Sequence, residues 1–300
     1  MEATLRSGAK MPRIGLGTYK LKGEHCYNAV VSALQNGYRL IDTASMYKNE
    51  LEIGRAIKDS GIPREEVFIA SKLWANDHKP DRLRKSFRAS LEALGTDYLD
   101  LYIMHYPFSL ENAENYPEGD MQLSYIPSHK VWKHLEALVD EGLVKDIGIS
   151  NWPAALVLET MSYSRIKPSV VQLEIHPYNT QEKLVGFCQR QGIVVTGFGS
   201  LGGVEYGHVH DATPLLQHPL IREVAQKHSK STGQILLNWS LARGLCIIPR
   251  SRCQERQIMN MQSKDFTLEQ EDLDKISSLN QNLRFYGAKF YEQIEFPLFS

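Results

Sequence analysis

Short runs of aliphatic and β-branched residues recur along the chain, each followed by a longer stretch in which apolar positions return every three or four residues. The runs fall at residues 14–17, 39–41, 67–71, 99–104, 146–149, 170–173, 193–196 and 245–248. Between them Leu83, Phe87, Leu91 and Leu94, and again Val131, Leu135, Leu138 and Val139, keep helical spacing. This alternation predicts a parallel sheet assembled from strand–helix units. Eight units over about 250 residues suit a closed (β/α)8 TIM barrel better than an open doubly wound sheet, the structural alternative. A hairpin over residues 3–13, turning at Ser7-Gly8, precedes the first strand. No Pro/Ser-rich linker, low-complexity tract or charge block divides the chain, so residues 1–300 read as one barrel domain.

Helix starts are marked by three capping-box patterns, Ser231-x-x-Gln234, Ser251-x-x-Gln254 and Thr267-x-x-Gln270. Polar, turn-rich stretches follow several strands, as at residues 43–50 and 150–153.

Composition narrows the function classes. A 42% hydrophobic and 23% charged chain is ordinary for a globular protein with a sizeable core. A net charge of -1 argues against nucleic acid or an anionic membrane as the main partner. Nothing approaches the roughly 18 consecutive apolar residues of a membrane span, and residues 1–20 show no signal-peptide pattern. The four cysteines, Cys26, Cys188, Cys246 and Cys253, are dispersed, which predicts reduced thiols and a cytoplasmic protein. No segment reads as a dedicated interface, so a monomer is expected. The triplet Asn238-Trp239-Ser240 lies inside a predicted helix and is read as a chance match to a glycosylation site.

Catalytic groups in such barrels sit just past the C-terminal ends of the strands. The second strand is followed by Asp42 and then Tyr47, the third ends at Lys72 and the fourth at His105. Singly, each has a bland reading: an ion pair, a surface tyrosine, a core histidine. Together they offer specific chemistry. A phenol with an ordinary pKa of about 10 is a poor acid near neutrality; an adjacent ammonium is expected to lower it. Asp42 would orient that ammonium, and a neutral His105 can donate a hydrogen bond to a carbonyl oxygen. The set can protonate the alkoxide formed when hydride reaches a carbonyl carbon. None of the four supplies hydride, so a nicotinamide cofactor is required.

The segments DTASMYKNE (42–50), SKLW (71–74), LDLYIMHYP (99–107), GISN (148–151), VQLEIHP (171–177) and IPRS (248–251) resemble the signatures of the aldo-keto reductases, in family order, over residues 4 to 285. The resemblance implies a barrel without a Rossmann domain and a catalytic tetrad of Asp42, Tyr47, Lys72 and His105. It places the nicotinamide carboxamide against Ser150, Asn151 and Gln172, with Phe198 stacked on the ring in place of the usual Tyr. Gly17 and Thr18 would line the entrance, and Asp42 borders the cofactor as well. The loop carrying Ser200, Leu201 and Gly202 would fold over the pyrophosphate.

The phosphate end is also legible physically. Arg250, Ser251, Arg252 and Arg256 cluster at a predicted helix start, where free N–H groups and guanidinium forks suit a phosphate. NADPH is therefore expected over NADH, with Asn260 near the adenine. Two motifs are read as decoys. Gly197-x-Gly199-x-x-Gly202 spells the dinucleotide fingerprint but lies late in the chain, without the acidic residue that should follow. His208-x-His210-Asp211 spells a metal cluster, yet the first strand region has no histidine, so no metal is expected.

Tyr19, Tyr47, Trp74, His105 and Tyr106 are expected around the substrate. The aromatic tail, with Phe285, Tyr286, Phe290, Tyr291, Phe296 and Phe299, is expected to fold back over the barrel. By resemblance, Tyr19 and Tyr106 stand where many aldose reductases have Trp, which favours a polyhydroxylated aldehyde. NLRF (282–285) is similar to the tail of xylose reductases, and residues 161–178 to plant aldose-6-phosphate reductases. Arg284 and Lys289 are candidates for a substrate phosphate, with surface charge as their plainer reading. The expected partner is a small-molecule carbonyl compound. The alternatives left open are a non-catalytic NADPH-binding or structural protein on the same fold, and a metal-dependent barrel hydrolase.

Overall fold

The computed structural model describes residues 1–111, 121–203, 212–286, 294–296 and 298–299. Eight parallel strands follow one another around the sheet in chain order. They are Leu16–Gly17, Leu40–Asp42, Phe68–Leu73, Leu99–Met104, Val144–Ser150, Val170–Glu174, Val194–Phe198 and Cys246–Ile247. The first and last meet: Ile14 pairs with Ile247, with Gly15 N donating to Ile247 O at 2.9 Å and Ile247 N to Arg13 O at 2.8 Å. The sheet is thus closed into a (β/α)8 barrel, and the open-sheet alternative is excluded. Closure needs glycine at position 17, where a Cβ would lie 2.4 Å from the Ile248 carbonyl oxygen.

Period-two alternation along the strands decides which side chains reach the interior. On the third strand Phe68 and Ala70 join the barrel-lumen cluster with Leu40, Leu101, Ile103 and Val170. Ile69 and Leu73 instead join the larger cluster between sheet and helices. Lys72 shares the parity of Phe68 and Ala70; Asp42 shares that of Leu40, and His105 that of Leu101 and Ile103. Ala3, Leu5 and Met11 belong to the lumen cluster, brought there by the hairpin of Glu2–Thr4 and Lys10–Pro12. The hairpin therefore plugs the N-terminal end of the barrel and leaves the C-terminal end for chemistry.

The two periodic patterns form helices Pro80–Leu94 and Ser128–Asp140, burying Leu83, Phe87 and Leu94, and Val131, Leu135 and Leu138. Of the three capping boxes only that of Ser231 forms, with both reciprocal bonds present at the start of helix Thr232–Ala242. That helix also buries Asn238 and Ser240, which removes the glycosylation triplet from the surface. The other two are corrections. Helix Gln254–Met261 starts from Cys253 and helix Gln270–Ser277 from Glu269. Ser251 Oγ is engaged one turn too early, accepting from Cys253 N at 3.1 Å.

Strand ends moved by one or two residues, and the third strand runs past Lys72 to Leu73. A short antiparallel pair after the fourth strand, Ser109–Glu111 with Gln122–Ser124, is an unpredicted addition. No helix among the described residues is long and apolar enough to cross a membrane.

Candidate active site

The four ionisable groups meet at the C-terminal mouth. Lys72 Nζ lies 2.6 Å from Asp42 Oδ1 and donates to Thr43 O at 2.7 Å. The Lys72 and Asp42 side chains are 0% and 4% exposed, so the pair is sealed from water. Burial lowers the Lys72 pKa, and Asp42 opposes that shift. Tyr47 ends a single turn, Ser45–Tyr47, closed by Lys48 in the left-handed region at φ 50°. This turn swings the phenol back over the strand ends, so that Lys72 Nζ lies 5.0 Å from the Tyr47 ring centre. Lys22 Nζ holds the Tyr47 carbonyl at 2.5 Å.

The expectation that Lys72 makes this phenol more acidic is not met. Burial raises the Tyr47 pKa well above its ordinary value, and Asp42, Tyr19 and Tyr286 add to the rise. The ammonium is too closely neutralised by Asp42 to dominate. His105 is buried, and burial, with Lys72 second, lowers its pKa well below the usual histidine value. Its ring is stacked on Tyr106 at 5.2 Å and meets Trp74 edge-on at 5.5 Å and Tyr47 at 5.9 Å. Its Nδ1 is buried without a hydrogen-bond partner.

The residues expected to hold the nicotinamide form one network with these groups. Gln172 Nε2 donates to Asp42 Oδ2 at 2.8 Å. Asn151, in the left-handed region at φ 65°, donates from Nδ2 to His105 O at 3.0 Å and to Ser150 Oγ at 3.2 Å. Asparagine tolerates that backbone better than most residues. Thr18 is buried and donates from Oγ1 to Asp42 O at 2.9 Å. Phe198, at the end of the seventh strand, meets the Tyr286 ring at 5.5 Å and 85°. Ser200 Oγ donates to Gly197 O at 3.3 Å, and Leu201 packs beside the core. Gly199 and Gly202 take φ of 67° and 76° in a loop that starts no helix among its described residues, so the glycine fingerprint there is a turn rather than a Rossmann signature.

Arg250, Ser251, Arg252 and Arg256 line one recess of about 230 Å³. All three arginines are exposed and Ser251 is buried. Asn260, one turn along the same helix, is buried beside the Tyr38 phenol. Free N–H groups at this helix start and three guanidinium groups in one concavity suit a phosphate ester.

The tail folds back over the mouth. Ile294 and Leu298 pack with Trp74, Phe108, Leu110 and Met121, and Tyr106, Phe296 and Phe299 border them. Arg284 lies 3.6 Å over the Phe299 ring, which places it in the packing of the tail. His208, His210, Asp211, Lys289, Phe290 and Tyr291 lie outside the described residues. Among the described residues no cluster of His, Cys, Asp and Glu could hold a metal ion.

Sequence reasoning passed over several residues that build this site. Asn49 ties its walls together, accepting from Thr43 Oγ1 at 2.9 Å and donating to Thr18 O and Leu21 O at 2.9 and 3.0 Å. Glu50, behind the third strand, accepts from Ser71 and Ser90 at 2.6 and 2.9 Å. Glu174 binds the tail. Glu174 shares the inward parity of Gln172, which marks the residue but not its partners.

Residues 13–281 match the family pattern described as the aldo/keto reductase family. The chain is 41% identical to a probable NAD(P)H-dependent D-xylose reductase of Emericella nidulans, over 96% of both chains. It is 40% identical to aldo-keto reductase family 1 member A1 of Rattus norvegicus, over 94% of this chain and 90% of the rat protein. The aldose reductase structure from Schistosoma japonicum superposes with a TM-score of 0.90 at 34% identity, covering 98% of this chain and 96% of that one. With a matching family pattern over most of its length and a shared barrel, this chain belongs to the aldo/keto reductase family.

Proposed function

We propose that this protein is an NADPH-dependent reductase of aldehydes and ketones, acting on aldoses or related sugar aldehydes, with Tyr47 as the general acid. The observation that carries the reading is the buried Lys72–Asp42 pair at 2.6 Å beneath Tyr47, beside a neutral His105 and in the same mouth as Gln172 and Asn151. The arginine recess supports NADPH, since a 2′-phosphate is the part of that cofactor such a recess recognises. The relatives named for D-xylose reduction support an aldose as substrate.

The dinucleotide would be held by Gly17, Thr18, Ser150, Asn151, Gln172 and Phe198 at one end, and by Arg250, Ser251, Arg252, Arg256 and Asn260 at the other. Ser200, Leu201 and Gly202 would cover the span between them. When bound, the reduced nicotinamide supplies the hydride. His105, neutral because it is buried, donates a hydrogen bond to the substrate carbonyl oxygen and orients it. Tyr47 keeps its proton in the resting site and releases it to the alkoxide oxygen. Lys72 and Asp42 hold a fixed charge pair beside that transfer, and the polarity of Tyr19 and Tyr106 favours a hydroxylated substrate over an alkyl aldehyde, with Trp74 as an apolar wall.

Tyr47→Phe tests the assignment. Loss of general-acid catalysis lowers kcat by about 10²- to 10⁴-fold, while NADPH affinity, measured by fluorescence titration, stays near the parent value. Full turnover in this variant overturns the role of Tyr47. A screen of pentoses, hexoses, their phosphates and aromatic aldehydes that shows no NADPH oxidation overturns the reductase reading and favours a binding protein.

A further inference from the structure

Glu174 is the last residue of the sixth barrel strand and is 2% exposed. Its carboxylate reaches a segment more than a hundred residues away: Oε1 accepts from Phe285 N at 2.6 Å, and Oε2 from Tyr286 N at 3.4 Å. His176 Nε2 lies 2.9 Å from Oε1, and the His176 ring is 5.1 Å from that of Phe285. The held segment follows the end of helix Gln270–Ser277 and is itself neither helix nor strand. A buried carboxylate is an uncommon anchor for a chain tail, and charge-assisted bonds to backbone amides are among the stronger ones.

What the anchor places is specific. The Tyr286 ring stands edge-to-face with Phe198. It also lies against the loop after the seventh strand, in a space kept open by a missing side chain. A Cβ on Gly199 would fall 2.7 Å from Tyr286 Cε2, and one on Gly203 would fall 2.5 Å from Phe285 Cβ. Both glycines take positive φ, 67° and 56°. The tail and that loop are therefore fitted to each other across the end of the seventh strand. Tyr286 is half-buried.

We propose that Glu174 is a positioning residue that latches the tail, through the amides of Phe285 and Tyr286, so that Tyr286 walls the nicotinamide end of the cleft and slows cofactor release. This rests on the functional reading above, in which Phe198 is the platform for the nicotinamide. Glu174 touches neither substrate nor cofactor; it acts through Tyr286. The close approaches at Gly199 and Gly203 fit Phe285 and Tyr286 to the described start of the loop after the seventh strand.

The test is NADPH dissociation followed by stopped-flow fluorescence in the full-length parent, Glu174→Ala, Glu174→Gln, Tyr286→Ala and the Glu174→Ala/Tyr286→Ala double variant. Glu174→Ala should speed dissociation about tenfold, equivalent to losing one charge-assisted contact, and Tyr286→Ala, which keeps the amide but removes the wall, should do so by a similar factor. The double variant should be no faster than the singles, because both remove the same wall. Glu174→Gln keeps one acceptor oxygen and should fall between parent and Ala. Single-turnover hydride transfer at saturating NADPH should change by a smaller factor than dissociation does. Should Glu174→Ala not fold, as circular dichroism would show, Glu174→Gln and Tyr286→Ala carry the test. Additive effects in the double variant, or an unchanged rate in Tyr286→Ala, overturn the latch. A parent protein that binds no NADPH overturns the functional reading and the latch together, whereas parent binding with unaltered variants overturns the latch alone.

Discussion

Replacing Asp42 by Asn removes a charge and almost no volume, so it isolates the electrostatics of the Lys72–Asp42 pair. At 2.6 Å and an effective dielectric constant of about 20, the gross attraction is about 6 kcal/mol. Part of it offsets the desolvation of both ions, and removing one partner of such a pair costs about 3–5 kcal/mol. The cost also has a ceiling. Lys72 can escape it by losing its proton, and from a solution pKa of about 10.4 that requires about 4.6 kcal/mol at pH 7 but only about 2 kcal/mol at pH 9. The direction in pH follows. Burial already lowers the Lys72 pKa in the folded protein, and without Asp42 it falls further below the unfolded value. The folded variant then binds fewer protons than the unfolded chain, so its stability rises with pH across that window. Differential scanning calorimetry should show a Tm deficit of about 6–10 °C at pH 7, shrinking to about 4 °C or less at pH 9. A deficit below about 2 °C at pH 7, or one that stays constant to pH 9, would refute the view that this pair is sealed from water.

Three further outcomes follow from the same structure. Arg256→Ala should raise the KM for NADPH about tenfold or more and leave that for NADH nearly unchanged, since only a 2′-phosphate uses the arginine recess; equal losses with both cofactors would contradict this. Because burial holds His105 neutral and Tyr47 protonated, kcat at saturating substrate should be flat from about pH 6 to 9. A limb near pH 6.5 that vanishes in His105→Asn would show that the imidazole titrates after all. Ser231→Ala should cost about 1 kcal/mol in urea unfolding, whereas Thr267→Ala, whose capping box does not form, should cost less than about 0.5 kcal/mol.

How much of this was legible in the sequence depends on the reach of each interaction. The barrel was legible because strand and helix periods are local, and the short β-rich runs repeat them eight times. Parity then carried the site: once Leu40, Phe68 and Leu101 face the lumen, Asp42, Lys72 and His105 must as well. Capping boxes were less legible, since a Ser-x-x-Gln pattern does not say which residue starts the helix. Ser231 does so, while Ser251 is spent on the turn before one. The clamp of Glu174 on Phe285 and Tyr286 left no pattern, because a carboxylate that accepts backbone amides constrains its own identity but not that of its partners.

The acidity of Tyr47 was misjudged for a related reason. From the sequence, a lysine two strand positions past a lumen residue and a tyrosine after the neighbouring strand suggest a cation beside a phenol, and hence a lowered pKa. The three-dimensional arrangement puts Asp42 2.6 Å from that cation and seals the ion pair from water, and burial is the largest cause of the rise at the phenol. The consequence favours the proposed chemistry. A general acid must carry its proton before the reaction begins, and a phenol made strongly acidic by Lys72 would have lost it to bulk water. In the proposed reaction the raised pKa would keep the proton on Tyr47 until an alkoxide, a far stronger base than water, forms within reach of it. The Lys72–Asp42 pair would, in that reaction, keep an oriented dipole next to the developing phenolate, preformed and too well anchored to reorganise during the transfer.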